Sequence, residues 1–218
     1  MNNIHSNRSI ILYEPRMLHR NAVCSCLEAQ GYQVKIINDV NADDIMLATD
    51  SESEPVIVGI GGAGADFFMV LHWIYRLVER SVKTAVLLHE YDTLLARMMN
   101  ELGVSSLLCE PFLQQELKQF LELPLYRSTS FPGPVRHFSN EIKRYLSLNE
   151  LNYLTEFARG MTAHEIAAHR QVNYKTVYAH KRNIRLRLEL MKTEDWLALL
   201  SRIEKLYRTG GRLPDVYV

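Results

Sequence analysis

The strongest constraint on this chain is the alternation, over its first 123 residues, of short apolar runs with stretches of helical periodicity. Ser9-Ile-Ile-Leu-Tyr13 is a short apolar run and Pro55–Ile60 a second buried-type strand, Tyr32–Ile37 is rich in β-formers, and Thr84–Leu88 and Val104–Cys109 read as further strands. Residues 16–30, 41–49, 66–80, 91–102 and 113–123 carry helical spacing. In the first of these, Leu18, Ala22, Cys26 and Ala29 fall on one side. Gly31 and Gly103 stand where helices end. Strands separated by helices pair in parallel, and a parallel sheet must be covered on both faces. Five such repeats in this span predict an α/β, flavodoxin-like (βα)5 domain.

The pattern then changes. Residues 124–138, PLYRSTSFPGPVRHF, hold three prolines, a glycine and three Ser/Thr, a composition that opposes helix and strand alike. Beyond it the chain reads as helical to about residue 208, with no internal repeat. The predicted division is therefore a first domain over 1–123, a linker over 124–138 and an all-α domain over 139–218.

Charge divides the same way, although the formal net charge is zero. Residues 1–138 carry 11 Lys/Arg against 16 Asp/Glu, and residues 139–208 carry 13 against 8. Between 170 and 187 there are six cations, Arg170, Lys175, Lys181, Arg182, Arg185 and Arg187, and no acid. Such a segment suits a polyanion. No apolar run has the length that crosses a bilayer; the nearest, Phe67–Val78, is interrupted by His72 and Arg76. The first residues, MNNIHSNRS, lack the apolar core of a secretion signal. Cys24, Cys26 and Cys109 have neither a disulfide framework nor zinc-site spacing and are expected to be small buried side chains. A cytoplasmic protein without metal or other cofactor is expected.

The second half has clear helix signals. Ser147-Leu-Asn-Glu150 and Thr162-Ala-His-Glu165 are capping boxes. The helix after the first places Leu151, Leu154 and Ala158 together, and Gly160 stops it. The second opens a short helix containing Ile166 and Ala167. After a turn at 170–172, Asn173 caps a third helix running from Tyr174 to about Leu188. Thr193 caps a fourth, in which Trp196, Leu200 and Ile203 share a face. Short helix, tight turn and longer cationic helix form the layout of a helix-turn-helix. One face of the third helix offers Tyr174, Tyr178, Lys181, Arg182 and Arg185; the opposite stripe is Val177, Ile184 and Leu188.

The string LSLNELNYLTEFARGMTAHEIAAHRQVNYKTVYAHKRNIRLRL resembles the DNA-binding domain of LuxR/FixJ/NarL regulators. Its landmarks are Leu146, Ser147, Glu150, Leu154, Gly160, Glu165, Ile166, Ala167, Lys175, Thr176, Val177, His180, Asn183, Ile184 and Leu188. The resemblance implies a four-helix LuxR-type domain bound to double-stranded DNA. It implies Tyr178, Ala179 and Arg182 as base readers and Lys175, Thr176, Lys181 and Arg185 as phosphate contacts. It also implies that the fourth helix, with Trp196, Leu200 and Ile203, serves dimerisation. One departure is Arg170, where the family usually has leucine; it is expected either to reach outward or to contact phosphate.

With this partner, the βα pattern resembles a response-regulator receiver domain, but the residues of phosphoryl transfer are missing. The acidic pair after the first strand is Tyr13-Glu14, one carboxylate of two. After the third strand comes Gly59-Ile-Gly-Gly-Ala-Gly64, with no carboxylate before Asp66. His89 follows the fourth strand in place of Ser/Thr, and Glu110-Pro111 follows the fifth in place of lysine. A lone carboxylate does not make a magnesium cage. Gly59–Gly64 is neither a P-loop nor a dinucleotide fingerprint, and is expected to be a flexible loop replacing the phospho-site. Trp73-Ile-Tyr-Arg76 is expected to be helical core. The reading is an atypical response regulator with a pseudo-receiver, not an enzyme, acting as a homodimer or as a heterodimer with a related regulator. KTVYAHKRN is similar to the auxiliary regulators that pair with the phosphorylatable Rcs regulator in enteric bacteria. The alternative is a ligand-sensing regulator that takes a small molecule or cyclic dinucleotide.

Overall fold

A computed structural model of the chain describes residues 8–38, 54–122 and 146–208. The expected short helix at 41–49 and the linker at 124–138 lie outside the described residues. Strands β1 (Ser9–Tyr13), β2 (Gln33–Ile37), β3 (Val56–Gly59), β4 (Thr84–Leu88) and β5 (Ser106–Cys109) form one parallel sheet in the order β2-β1-β3-β4-β5. This is the flavodoxin-like order, whose reversal between β1 and β3 opens a crevice at the carboxyl ends of the strands. Helices α1 (Met17–Glu28), α2 (Phe67–Glu79), α3 (Thr93–Leu102) and α4 (Leu113–Glu122) cover the sheet. Because both faces are covered, β3, β4 and β5 are buried at every position.

Two apolar clusters result. Val23 and Leu27 of α1 and Leu117 and Phe120 of α4 pack with Ile10, Leu12, Ile57, Ala85, Leu87 and Leu108 on one face. On the other, α2 and α3 pack against Ile11, Tyr13, Val58 and Val86, with Trp73 edge-on to Tyr13 at 5.8 Å. The first helix is a correction. Its buried pair is Val23 and Leu27, whereas Leu18, Ala22 and Ala29 are exposed. The i, i+4 spacing was right, but the buried stripe lies one position further along. Cysteine burial is a second correction: Cys109 is buried, and Cys24 and Cys26 are half-buried at the rim of the α1 cluster.

The carboxy-terminal part consists of α5 (Leu148–Ala158), α6 (Ala163–Arg170), α7 (Tyr174–Arg187) and α8 (Thr193–Arg208). Both capping boxes form. Ser147 accepts from the Glu150 amide while the Glu150 carboxylate accepts the Ser147 amide; Thr162 and Glu165 do the same. Gly160, at φ +87°, ends α5 in the left-handed conformation. The fourth helix begins at Thr193 itself, one residue earlier than a Thr193 cap would give.

The two parts share a core. Buried residues of α2 and α3 join those of α5 to α8 in one cluster. Phe68 of α2 meets Tyr207 of α8 at 5.0 Å and lies beneath the Arg159 guanidinium at 4.5 Å. The Leu146 amide donates to the Glu101 carbonyl at 2.8 Å, and Arg202 pairs with Asp92. His72 shares a hydrogen bond with Asn152; burial first, and the charge of Arg76 next, hold its imidazole below its ordinary range.

Candidate nucleic-acid interface and the crevice at the strand ends

α7 is built to show one face. Asn173 caps it by accepting from the Lys175 amide at 2.9 Å. Val177, Ile184 and Leu188 are buried against α5 and α6, so the helix cannot rotate without exposing them. The turn before it is tight: Gln171 adopts φ +55° and closes α6. Opposite the buried stripe, Tyr174, Lys175, Thr176, Tyr178, Ala179 and Arg182 are exposed. Tyr174 and Tyr178 stand edge to face at 6.3 Å, and His164 of α6 lies 5.2 Å from the Tyr174 ring. Arg182 has no hydrogen bond or ion pair within the described residues and remains available to an outside acceptor.

Lys181 and Arg185, expected on the same footing, are placed differently. Lys181 Nζ sits 5.3 Å from the Phe157 ring and 5.6 Å from the Trp196 ring. Burial there, with Arg185 nearby, lowers its ammonium below the usual lysine range. Arg185 donates to the carbonyls of Leu190 and Met191 at 3.1 and 2.8 Å and so fastens the turn after α7. Arg170 does neither of the two things expected of it. Its guanidinium turns inward, pairs with Glu156 at 2.7 Å and lies over the Tyr153 ring at 4.2 Å. Tyr153 stacks on its other partner, His180, at 4.3 Å. The leucine position of the resemblance thus becomes a stacked, ion-paired arginine. Glu150, held by the Ser147 amide and by Arg187 at 3.0 Å, has its carboxyl lowered despite burial that works to raise it.

Trp196 and Ile203 are buried, and Leu200 is half-buried against the same core. Trp196 meets Phe157 edge-on at 5.6 Å, and α8 also packs on α3 and the turn 64–66. Leu197, by contrast, faces outward.

The crevice at the strand ends is filled by side chains. Glu14, fully buried after β1, accepts three hydrogen bonds from Arg16: its amide at 3.0 Å, Nε at 2.9 Å and a terminal nitrogen at 3.0 Å. Gly59 ends β3 directly beneath this carboxylate; a Cβ there would lie 2.7 Å from Glu14 Cδ and nearer still to Oε2. Gly62, at φ +78°, passes under the Arg16 side chain, where a Cβ would lie 2.8 Å from Cγ. The glycine run lets the backbone close over the Glu14–Arg16 pair. Arg16 also reaches Glu110 Oε1 at 2.7 Å. Burial works to raise the Glu110 carboxyl, but His89, Arg16 and His19 outweigh it and hold it below the usual carboxylate range. Sequence reasoning missed His19, because it sits within a helix that spacing alone assigned to packing.

The fold defines a class: a five-stranded receiver-type α/β sheet carrying a helical domain with a helix-turn-helix. No family model and no curated protein sequence matches the chain. Among solved structures, it is similar to the two-component response regulator RcsB in complex with DNA, with a TM-score of 0.51 at 18% identity over 90% of this chain and 98% of that one. It is also similar to RcsB from Salmonella enterica serovar Typhimurium bound to promoter rprA in the presence of the phosphomimetic BeF3−, with a TM-score of 0.50 at 17% identity over 90% and 99% of the two chains. At these identities the likeness is one of fold. No helix among the described residues is long and apolar enough to cross a membrane.

Proposed function

We propose that the chain is a sequence-specific, double-stranded-DNA-binding transcription regulator whose first domain works without aspartyl phosphorylation. The observation that carries the reading is the exposed face of α7, locked outward by Val177 and Ile184, with Arg182 unengaged at its centre. Tyr178, Ala179 and Arg182 are assigned to base edges, Arg182 by a bidentate contact to guanine. Lys175 and Thr176 are assigned to phosphates. Lys181 and Arg185 reach phosphate from the flank of the helix only by leaving the contacts that hold them. The fold likeness to a response regulator solved with DNA supports the same reading.

The phosphorylation-independent part rests on the crevice. Gly59 has no side-chain carboxylate to accept a phosphoryl group at the end of β3, and the Glu14 carboxylate is already neutralised by Arg16. Pairing is assigned mainly to the first domain, as a homodimer or with a related regulator. Trp196, Leu200 and Ile203 take part only if α8 leaves its packing within the chain.

Arg182→Ala tests the α7 assignment. It should cost roughly 1–3 kcal/mol on a cognate duplex and relax discrimination at one base pair. Lys175→Ala should weaken all duplexes alike and reduce the salt slope by about one unit. Equal losses on cognate and random DNA for both variants would refute the assignment.

A further inference from the structure

We propose that His19, His89 and Glu110 form a binding site for one divalent transition-metal ion, zinc being the best match. The three come from separate places: His19 from the first turns of α1, His89 from the loop after β4, and Glu110 from the turn after β5. Their ligand atoms nevertheless lie within 4.8 Å of one another. His89 Nδ1 is 2.7 Å and His19 Nε2 is 3.2 Å from the same oxygen, Glu110 Oε2.

The division of the Glu110 carboxylate is what favours an ion. Oε1 is buried and lies 2.7 Å from the Arg16 guanidinium as an ion pair without a hydrogen bond, and Oε2 is left to the two imidazoles. Two histidine nitrogens and one carboxylate oxygen are the donor set of an open zinc site, in which water completes the coordination. Tetrahedral bonds of about 2.0–2.1 Å place neighbouring donors about 3.3 Å apart. The His19–Glu110 distance already matches. To hold an ion at zinc bond lengths His89 must move back from Glu110 by about half an ångström, and the two imidazole nitrogens, which lie within 4.8 Å of each other, must come to about the same 3.3 Å spacing. Its side chain is 75% exposed and free to do so, and the same exposure gives an ion access from solvent. Nitrogen donors select zinc, cobalt, nickel or copper over magnesium and calcium, which prefer all-oxygen cages. The local charge permits a cation, because Glu14 and Glu110 together outnumber Arg16.

The site differs from a receiver's magnesium site in its residues and its chemistry. It uses the positions where the resemblance expected Ser/Thr and lysine. It would tie α1 to the β4 and β5 loops, giving the first domain a metal-dependent input independent of the DNA-binding reading.

The test uses the full chain. Co²⁺ is titrated at neutral pH while visible absorption is followed, and Zn²⁺ is then measured by competition with a colorimetric chelator. Wild type should bind one ion with nitrogen–oxygen ligand-field bands and melt at a higher temperature when loaded. His19→Ala and His89→Ala should each weaken binding by at least about tenfold, the lower bound for disturbing a metal shell. His169→Ala, in α6, should bind as wild type does. Absence of saturable binding up to about 0.1 mM, an unchanged affinity in either His19→Ala or His89→Ala, or a loss in His169→Ala equal to theirs would each overturn the proposal. A hydrogen bond from His89 and a charge contact from His19 to Glu110, with no ion between them, predict the first of these results.

Discussion

Gly59→Ala measures how tightly the crevice is closed. Gly59 is not in the left-handed region, so alanine there meets no backbone strain and the whole cost is steric. The new Cβ would lie 2.7 Å from Glu14 Cδ and 3.3 Å from Glu14 Cα. Relief requires Glu14, which is fully buried, to swing away from its three Arg16 hydrogen bonds. Overpacking of this kind costs about 1–3 kcal/mol, and weakened charge-assisted bonds add to it. The expected destabilisation is about 2–4 kcal/mol, which lowers Tm by about 2–4 °C per kcal/mol in a chain of this size. In a Glu14→Ala background the obstructing carboxylate is gone, and the added methyl should cost less than about 1 kcal/mol. Urea denaturation of the four chains closes the cycle, with an expected coupling of at least about 1 kcal/mol. A Gly59→Ala cost below about 0.5 kcal/mol, or the same cost in both backgrounds, would refute the claim that the Glu14–Arg16 pair occupies this space.

Two further outcomes follow from the helical half. Arg170→Leu should destabilise the chain by about 1–3 kcal/mol, a discounted form of the loss on stranding one partner of a buried pair, because Arg170 retains some exposure. The double variant Arg170→Leu/Glu156→Leu should recover most of that loss in thermal denaturation; no recovery would mean that the pair is not the source. Glu150 is held below its unfolded pKa, so its contribution is fully present above about pH 4.3 and is lost as pH falls through the lowered folded value. Glu150→Gln should therefore flatten the acid side of a stability-versus-pH curve, and an unchanged slope would count against the capping box and the Arg187 pair.

Much of this architecture was legible because local rules carried it. Ser9–Tyr13 and Thr84–Leu88 match their strands to the residue, since a run buried on both faces admits no other phase. Both capping boxes were visible because their partners are three residues apart. What was not legible depends on long-range partners. The α1 stripe slipped by one position because the sheet, not the helix, selects Val23 and Leu27. Arg170 turned inward because Glu156, fourteen residues away, waits with a nearly buried carboxylate. The fourth helix shows an apolar face in sequence, but the sequence does not say whether Phe157, Phe68 or another chain covers it. His19, His89 and Glu110 share no spacing; only the closing of the sheet brings them together.

The central claim is that α7 reads duplex sequence. Selection from a random double-stranded DNA library by the full chain, followed by sequencing and by anisotropy titration of the enriched duplex at several salt concentrations, tests it most directly. The account predicts enrichment of two related half-sites and binding that weakens steeply with salt. It also predicts that Arg182→Ala alters the enriched sequence at one position per half-site. Absence of enrichment over rounds of selection, or an enriched motif left unchanged by Arg182→Ala and Tyr178→Ala together, would contradict it.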